Sequence, residues 1–310
     1  MAGIPDYQTL MLPLLQLFAD GKERKFRSLH EELAIQFQLT EQEREALLPS
    51  RKQPIFVNRV SWAKTYLVKA LLIEQVRRGE FALTERGKEI LARKPENINN
   101  KFLRQFPEFV AFEVRSNRGE IEKRDTSESI ASAIETPTEQ MEKAFAELRS
   151  TLSKEVLERV LELTPARFER LVVELLVTMG YGGALPDAGS MTRLSGDEGI
   201  DGIIKEDKLG LDMIYLQAKR WKEGNNVGRP DIQKFVGALA GQKAQKGVFI
   251  TTSAFSKEAR EYAANLQQKV VLIDGEQLAE LMIEYNLGVS VAQTYLIKRV
   301  DNDYFDENLD

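Results

Sequence analysis

The chain has 310 residues, of which 43% are hydrophobic and 29% charged, the composition of a soluble globular protein with room for two domains. It has no cysteine, which excludes disulfides and thiolate metal sites, and its single histidine, His30, argues against multi-histidine zinc sites and His-dependent nucleases. The apolar run at residues 10–18 is too short to span a membrane and contains Pro13. No targeting segment is evident, so we expect a cytoplasmic protein.

The net charge of −5 is unevenly distributed along the chain. Residues 51–95 contain eleven Lys or Arg and four Asp or Glu, a local net charge of +7, whereas residues 1–50 carry a net charge of −3. A basic segment within an otherwise near-neutral body favours one electropositive face that could meet a nucleic acid. The last ten residues, 301–310, are predicted to form an acidic, solvated tail.

Residues 1–95 show the element order of a winged-helix domain, with helices followed by a small hairpin and a closing helix. Apolar periodicity predicts helices over residues 7–19, 26–37, 41–48 and 56–72. A hairpin is expected at 73–83, with Arg77-Arg78-Gly79 as its turn, and Thr84 is expected to cap the last helix. The candidate DNA contacts are Asn58, Arg59, Lys64 and Lys69 on the recognition helix, and Arg77 and Arg78 in the wing.

Residues 96–137 are predicted to connect this domain to a second one. The stretch from Pro95 to residue 115 has irregular hydrophobicity and two prolines, and residues 116–137 are rich in Ser, Thr and Glu, which is typical of a flexible linker. Residues 138–300 then show the order α-β-β-β-α-β-α-β-α of a mixed α/β domain. Strands are expected at 190–194, 200–204, 213–219, 247–252 and 270–273.

The most informative stretch of the chain lies at residues 196–219, where two predicted strands are joined by a polar turn. Along the second strand Gln217 and Lys219 share one face, because side chains alternate across a strand. If the two strands pair as a hairpin, Asp201 lies close to both. A carboxylate, a carboxamide oxygen and a lysine at a sheet edge could hold a hard divalent cation beside a water molecule. Asp201 by itself could be a simple turn residue, and Asp197 and Glu198 are nearby rivals.

These residues resemble the PD-(D/E)xK nuclease motif, with Asp201 as the first acid and Gln217-Ala218-Lys219 in place of (D/E)xK. The pattern G-x-D-G…QAKR is similar to the QxK variant of Mrr-like restriction endonucleases. The similarity continues through GALAGQKAQKGVFITTSAFS, and NRVSWAKTYLVKALLIEQVRRGEFALTERGKEIL resembles the Mrr N-terminal domain.

The resemblance implies a two-domain α+β protein, with an N-terminal winged helix and a restriction-endonuclease-like mixed sheet flanked by helices. It implies a Mg²⁺-dependent endonuclease that cuts double-stranded, methylated DNA, working as a homodimer or a higher homo-oligomer. Asp201, Gln217 and Lys219 would be catalytic, with Asp201 and Gln217 as metal ligands, and the family's Phe-Glu pair corresponds to Phe168-Glu169, which adds Glu169.

Two other functions stay open at this point. One is a DNA-binding regulator whose nuclease-like domain is inactive, which would bind DNA without nicking it. The other is a repair or junction-resolving nuclease of the same fold, which would cut branched rather than modified DNA.

Overall fold

A computed structural model of the protein describes residues 3–116, 135–182, 199–207, 211–222, 224–300 and Tyr304. The chain divides into two compact units, residues 1–147 with 299–310, and residues 148–298. The strand expected at 190–194, most of the expected linker and all of the acidic tail except Tyr304 lie outside the described residues. No helix within the described ranges is long and apolar enough to cross a membrane.

The N-terminal unit begins with five helices and a small sheet. In chain order its first elements are α1 (Tyr7–Gln16), β1 (Arg24–Lys25), α2 (Phe26–Gln36), α3 (Glu41–Glu45), α4 (Ile55–Lys69), β2 (Ile73–Arg77), β3 (Glu80–Leu83) and α5 (Glu85–Ala92). Thr40 closes a capping box with Glu43 at the start of α3, and the Thr84 hydroxyl accepts from the Gly87 N–H at the start of α5. The three strands are antiparallel in the order β1-β3-β2.

The segment expected to be a connector contributes to the core of this unit. Residues 96–116 contain α6 (Asn100–Leu103) and α7 (Pro107–Ser116). Leu103 and Phe109 are fully buried, and the ring of Phe109 lies edge-on to Tyr66 of α4 at 5.5 Å. The apolar residues of this segment are irregularly spaced because they belong to two short helices, so the sequence showed no helical periodicity here.

Helix α4 is covered on almost all sides, and Lys69 is its only exposed residue. Part of the cover comes from residues 135–142, at and before the start of α8 (Pro137–Glu162). Here Thr136 Oγ1 donates to Asn58 Oδ1 (2.6 Å), and Trp62 Nε1 donates to the hydroxyl of Thr138 (3.1 Å). The start of α8 therefore belongs to the N-terminal unit.

The C-terminal unit is a four-stranded mixed sheet with helices on both faces. Its elements after α8 are α9 (Pro165–Thr178), β4 (Gly202–Lys205), β5 (Met213–Lys219), α10 (Arg229–Gly241), β6 (Lys246–Thr251), α11 (Lys257–Ala264), β7 (Lys269–Ile273) and α12 (Gly275–Glu284). The sheet has the order β4-β5-β6-β7, in which β4 is antiparallel to β5 and the other pairs are parallel. One core lies among α8, α9, α12 and the sheet, and a second lies among α10, α11 and the opposite face.

Candidate active site

The start of β4 and the end of β5 bring Asp201 and Gln217 together. The N–H of Asp201 donates to the carbonyl of Leu216 (2.8 Å), the residue that pairs with Gly202, so Asp201 lies against β5 directly before the paired residues of β4. Along β5 itself, Gln217 and Lys219 share one face of the strand. Asp201 Oδ2 accepts from the Ala218 N–H (2.7 Å), which fixes the carboxylate against β5. Its other oxygen has no hydrogen-bond partner within the described ranges.

The side chain of Gln217 lies close to Gly199, which comes just before β4. Gln217 is only 5% exposed, and its carboxamide makes no hydrogen bond with the described residues. Gly199 has a φ of +75°, and a Cβ at this position would lie 3.2 Å from Gln217 Nε2. Glycine is therefore required twice over, for the left-handed backbone and for the space that Gln217 occupies. The oxygen of a carboxamide is among the ligands that a hard divalent cation accepts.

Helix α9 carries Glu169 to the same site. Thr164 accepts from the Arg167 N–H and Pro165 occupies the first turn, so the helix begins at a fixed point. A Cβ on Gly202 would be in ordinary contact with Val173 Cγ2 (3.4 Å), so α9 packs directly against β4 here. Glu169 lies one turn before Val173 on the same stripe of the helix.

The pKa of the Glu169 carboxyl is raised, first by burial and then by the negative charge of Asp201, while Lys219 lowers it. The charges of Asp201 and Lys219 therefore both act on the Glu169 carboxyl. Carboxylate and carboxamide oxygens are donors of the kind that a hard divalent cation accepts. No group of three or more His, Cys, Asp or Glu side chains lies together in the described part of the chain.

The carboxyl end of β5 is anchored on two sides by residues that sequence reasoning missed. Thr251 Oγ1 and the Thr252 N–H both donate to the carbonyl of Lys219 (2.9 and 3.2 Å). Arg220 Nη1 donates to the carbonyl of Leu161 (2.8 Å), in the last turn of α8, where helix carbonyls lack a partner within the helix. The polar residues at the end of the buried strand β6 were the sequence signal for this contact, because adjacent parallel strands end at the same edge of a sheet.

Comparison with known proteins finds a matching family for each half of the chain. Residues 160–282 match the model of a family described as a restriction endonuclease, and residues 7–93 match the Mrr N-terminal domain. The type IV methyl-directed restriction enzyme EcoKMrr of Escherichia coli K12 is 38% identical over 308 residues, which is 98% of this chain and 99% of that protein. This chain belongs to the Mrr family of restriction endonucleases. Its C-terminal unit has the restriction-endonuclease-like fold, with a mixed sheet flanked by helices.

Two solved structures show weaker similarity to this Mrr-family chain. The DNA modification-dependent restriction endonuclease AspBHI is 21% identical, with 55% of this chain and 40% of that chain covered and a TM-score of 0.35. The MspJI restriction endonuclease in complex with a 27-mer oligonucleotide is 23% identical, with 67% and 44% covered and a TM-score of 0.35.

The predicted DNA contacts of the Mrr-type N-terminal domain fall into two groups. Asn58 is buried against Thr136, and Arg59 is mostly buried, with an ion pair to Glu139 (2.8 Å) and a hydrogen bond to the carbonyl of Ile4 (2.7 Å). These two side chains are occupied within the protein and do not reach the surface in this conformation. Lys64 is likewise partly buried.

Lys64 Nζ lies over the rings of Phe26 (4.7 Å) and Phe81 (5.1 Å), and burial lowers its pKa. Lys69, Arg77 and Arg78 form the second group, and all three side chains are exposed. The surface cations of the family's predicted recognition helix and wing are therefore Lys69, Arg77 and Arg78.

Proposed function

We propose that this Mrr-family protein is a Mg²⁺-dependent endonuclease that cleaves double-stranded DNA carrying modified bases. The observation that supports it best is that Asp201 is hydrogen-bonded to β5 between Gln217 and Lys219, with Glu169 within reach of the charges of Asp201 and Lys219. The E. coli relative, similar over nearly the whole chain, is a methyl-directed restriction enzyme. The modified base is accordingly proposed to be a methylated one.

Each side chain of the site has a distinct part in the proposed hydrolysis. Asp201, oriented by the Ala218 N–H, and the carboxamide oxygen of Gln217 would hold the cation, with Glu169 at the margin of the donor set. Bound there, Mg²⁺ would lower the pKa of a coordinated water and offset charge on the phosphate. The Lys219 ammonium donates to a non-bridging phosphate oxygen, whose negative charge grows as water attacks phosphorus.

A neutral amide at position 217 is expected to weaken metal binding relative to a carboxylate. The ligand set then carries one full negative charge from Asp201, plus the fraction of Glu169 that is ionised. Because the pKa of Glu169 is raised, that fraction is smaller than for an exposed glutamate at the same pH. Cation binding and ionisation of Glu169 favour each other, so we expect Mg²⁺ affinity to rise with pH through the titration of this group.

The N-terminal unit is proposed to bind DNA as a winged helix. Its strand order β1-β3-β2 and the position of α4 directly before β2 support this interpretation. Phosphate contacts are assigned to the exposed Lys69, Arg77 and Arg78, of which the last two lie at the β2–β3 turn. Because one site cuts one strand at a time, two copies of the chain would cut both strands of a duplex together, and we propose a homodimer or a higher homo-oligomer.

One plasmid prepared with and without base methylation tests the proposal. With Mg²⁺ present, we expect nicking and linearisation of the methylated form, and no cleavage in EDTA or by the Asp201→Asn variant. Binding of the methylated plasmid without any cleavage would point instead to a DNA-binding regulator. Preferential cutting of branched, unmethylated DNA would identify a junction-resolving nuclease.

A further inference from the structure

The C-terminal unit has an apolar groove apart from the candidate active site. It lies among α8, α9 and α12, has a volume of about 750 Å³, and includes Arg159 and Arg167 among its lining residues. Its apolar lining comprises Leu152, Val156, Val160, Leu163, Leu171 and Met282. A volume in the range of about 300–1,000 Å³ is that of pockets which bury a ligand. None of Asp201, Gln217, Lys219 and Glu169 lines it.

The apolar surface continues along α8 beyond the groove. Leu152 is 37% exposed, and Leu148, one turn earlier on the same ridge of the helix, is 70% exposed. Single exposed apolar residues are ordinary on a protein surface, but a groove continuous with an exposed apolar ridge is typical of a binding surface.

A second apolar surface begins at the rim of this groove. Gly288, Val289 and Ser290 line the groove, and every residue from 290 to 300 is exposed and without regular secondary structure. Within this C-terminal arm, residues 290–300, the large apolar side chains are Val291, Tyr295, Leu296, Ile297 and Val300. The first four are between 71% and 80% exposed.

We propose that the arm of one copy docks in the groove of a second copy, in a symmetric exchange. In the single chain the groove stays open although its own arm starts at the rim, and the arm leaves it with its apolar side chains in water. A two-fold exchange covers both surfaces in both copies, because the same pair of patches meets twice. A second copy also agrees with the proposed function, on which this inference rests, since two active sites can cut both strands of a duplex in one encounter.

The arm is suited to such docking by its sequence. It has no glycine or proline, and Tyr295-Leu296-Ile297 places three large apolar side chains in succession. An extended segment presents successive side chains to opposite sides, so Tyr295 and Ile297 can enter the groove together while Leu296 meets the exposed ridge of α8.

The absence of cysteine from the chain permits a direct cross-linking test. Leu152→Cys and Leu296→Cys are made in separate full-length proteins, mixed in equal amounts and oxidised mildly. We expect a disulfide-linked species of twice the chain mass that contains one of each variant. The matched control is Val177→Cys, a residue of α9 with 38% exposure that does not line the groove, mixed with the same arm variant. Equal cross-linking with Val177→Cys would overturn the proposal.

Both cysteines in one chain distinguish the second copy from the chain's own arm. We expect the Leu152→Cys, Leu296→Cys double variant to oxidise to covalent dimers, whereas a disulfide formed only within monomers would refute exchange.

In light scattering at micromolar protein, Leu296→Glu should raise the dissociation constant of the dimer at least about tenfold, and Gln293→Glu should leave it nearly unchanged. An unchanged dimer in Leu296→Glu would also contradict the proposal. Cross-linking without any nicking activity would contradict the proposed function and leave the proposed docking of the arm unaffected.

Discussion

Removal of the Lys219 side chain should abolish most of the catalysis while leaving the protein folded. The side chain forms no ion pair with the described residues, and the bonds that anchor this end of β5 go to the backbone carbonyl of Lys219, which a substitution keeps. The free energy of unfolding of Lys219→Ala should therefore change by about 0.5 kcal/mol or less. A donor aimed at developing charge is worth about 2.7–4 kcal/mol in the transition state, so nicking should slow by about 10²–10³-fold.

The assay is single-turnover nicking of supercoiled, methylated plasmid at saturating Mg²⁺ and enzyme, with thermal unfolding and DNA affinity measured in parallel. Lys219→Met, which keeps the stem and removes the charge, should be as slow as the alanine variant. Lys257→Ala is the matched control, since its side chain is 82% exposed and lies on α11, outside the site. Nicking at the wild-type rate by Lys219→Ala would remove this residue from the mechanism.

Three further outcomes follow from the geometry. Burial raises the pKa of Glu169, so the folded state loses stability as the pH rises through that pKa and the side chain ionises; below the unfolded pKa this loss is absent. In EDTA, Glu169→Gln should therefore be more stable than wild type at neutral pH, and the difference should shrink on acidification. Gly199→Ala and Gly224→Ala each place a side chain on a left-handed backbone, which should cost about 1–2 kcal/mol of stability and lower Tm in both variants. Only the alanine at position 199 would contact the buried carboxamide of Gln217, so only that variant should also slow nicking. Replacing Arg77 and Arg78 with Ala should reduce the log–log salt slope of DNA binding by about one for each lost phosphate contact, and an unaltered slope would mean that this turn faces away from DNA.

The core of the candidate site could be predicted from sequence because its signals are local. Strand β5 has the expected bounds and pairs with β4 as the expected hairpin, although β4 begins at Gly202 rather than at residue 200 and leaves Asp201 just outside it. Alternation along a strand, and glycines on either side of an acid, need no information from distant parts of the chain. The anchoring role of Thr251 required knowledge of which strand lies beside β5, and that is a question of topology.

The environment of α4 could not be predicted in this way. Its buried stripe through Val60, Ala63 and Leu67 follows helical spacing as expected. The opposite side was interpreted as a solvated, DNA-facing surface, because Arg59 and Asn58 are compatible with water and with buried polar partners alike. Their partners lie 78–80 residues away along the chain, and such pairings leave no periodic trace near either residue.

The residues that pack over α4 also determine which segment of the chain can be exchanged between relatives. A chimera that joined the first 95 residues to a different C-terminal half would strip Arg59 of Glu139 and Asn58 of Thr136, and would expose the ring of Tyr66 by removing Phe109. A graft that ends at Glu147, the limit of the N-terminal unit, carries all of these partners with it. The N-terminal module that keeps its own packing contacts is therefore about half as long again as residues 1–95.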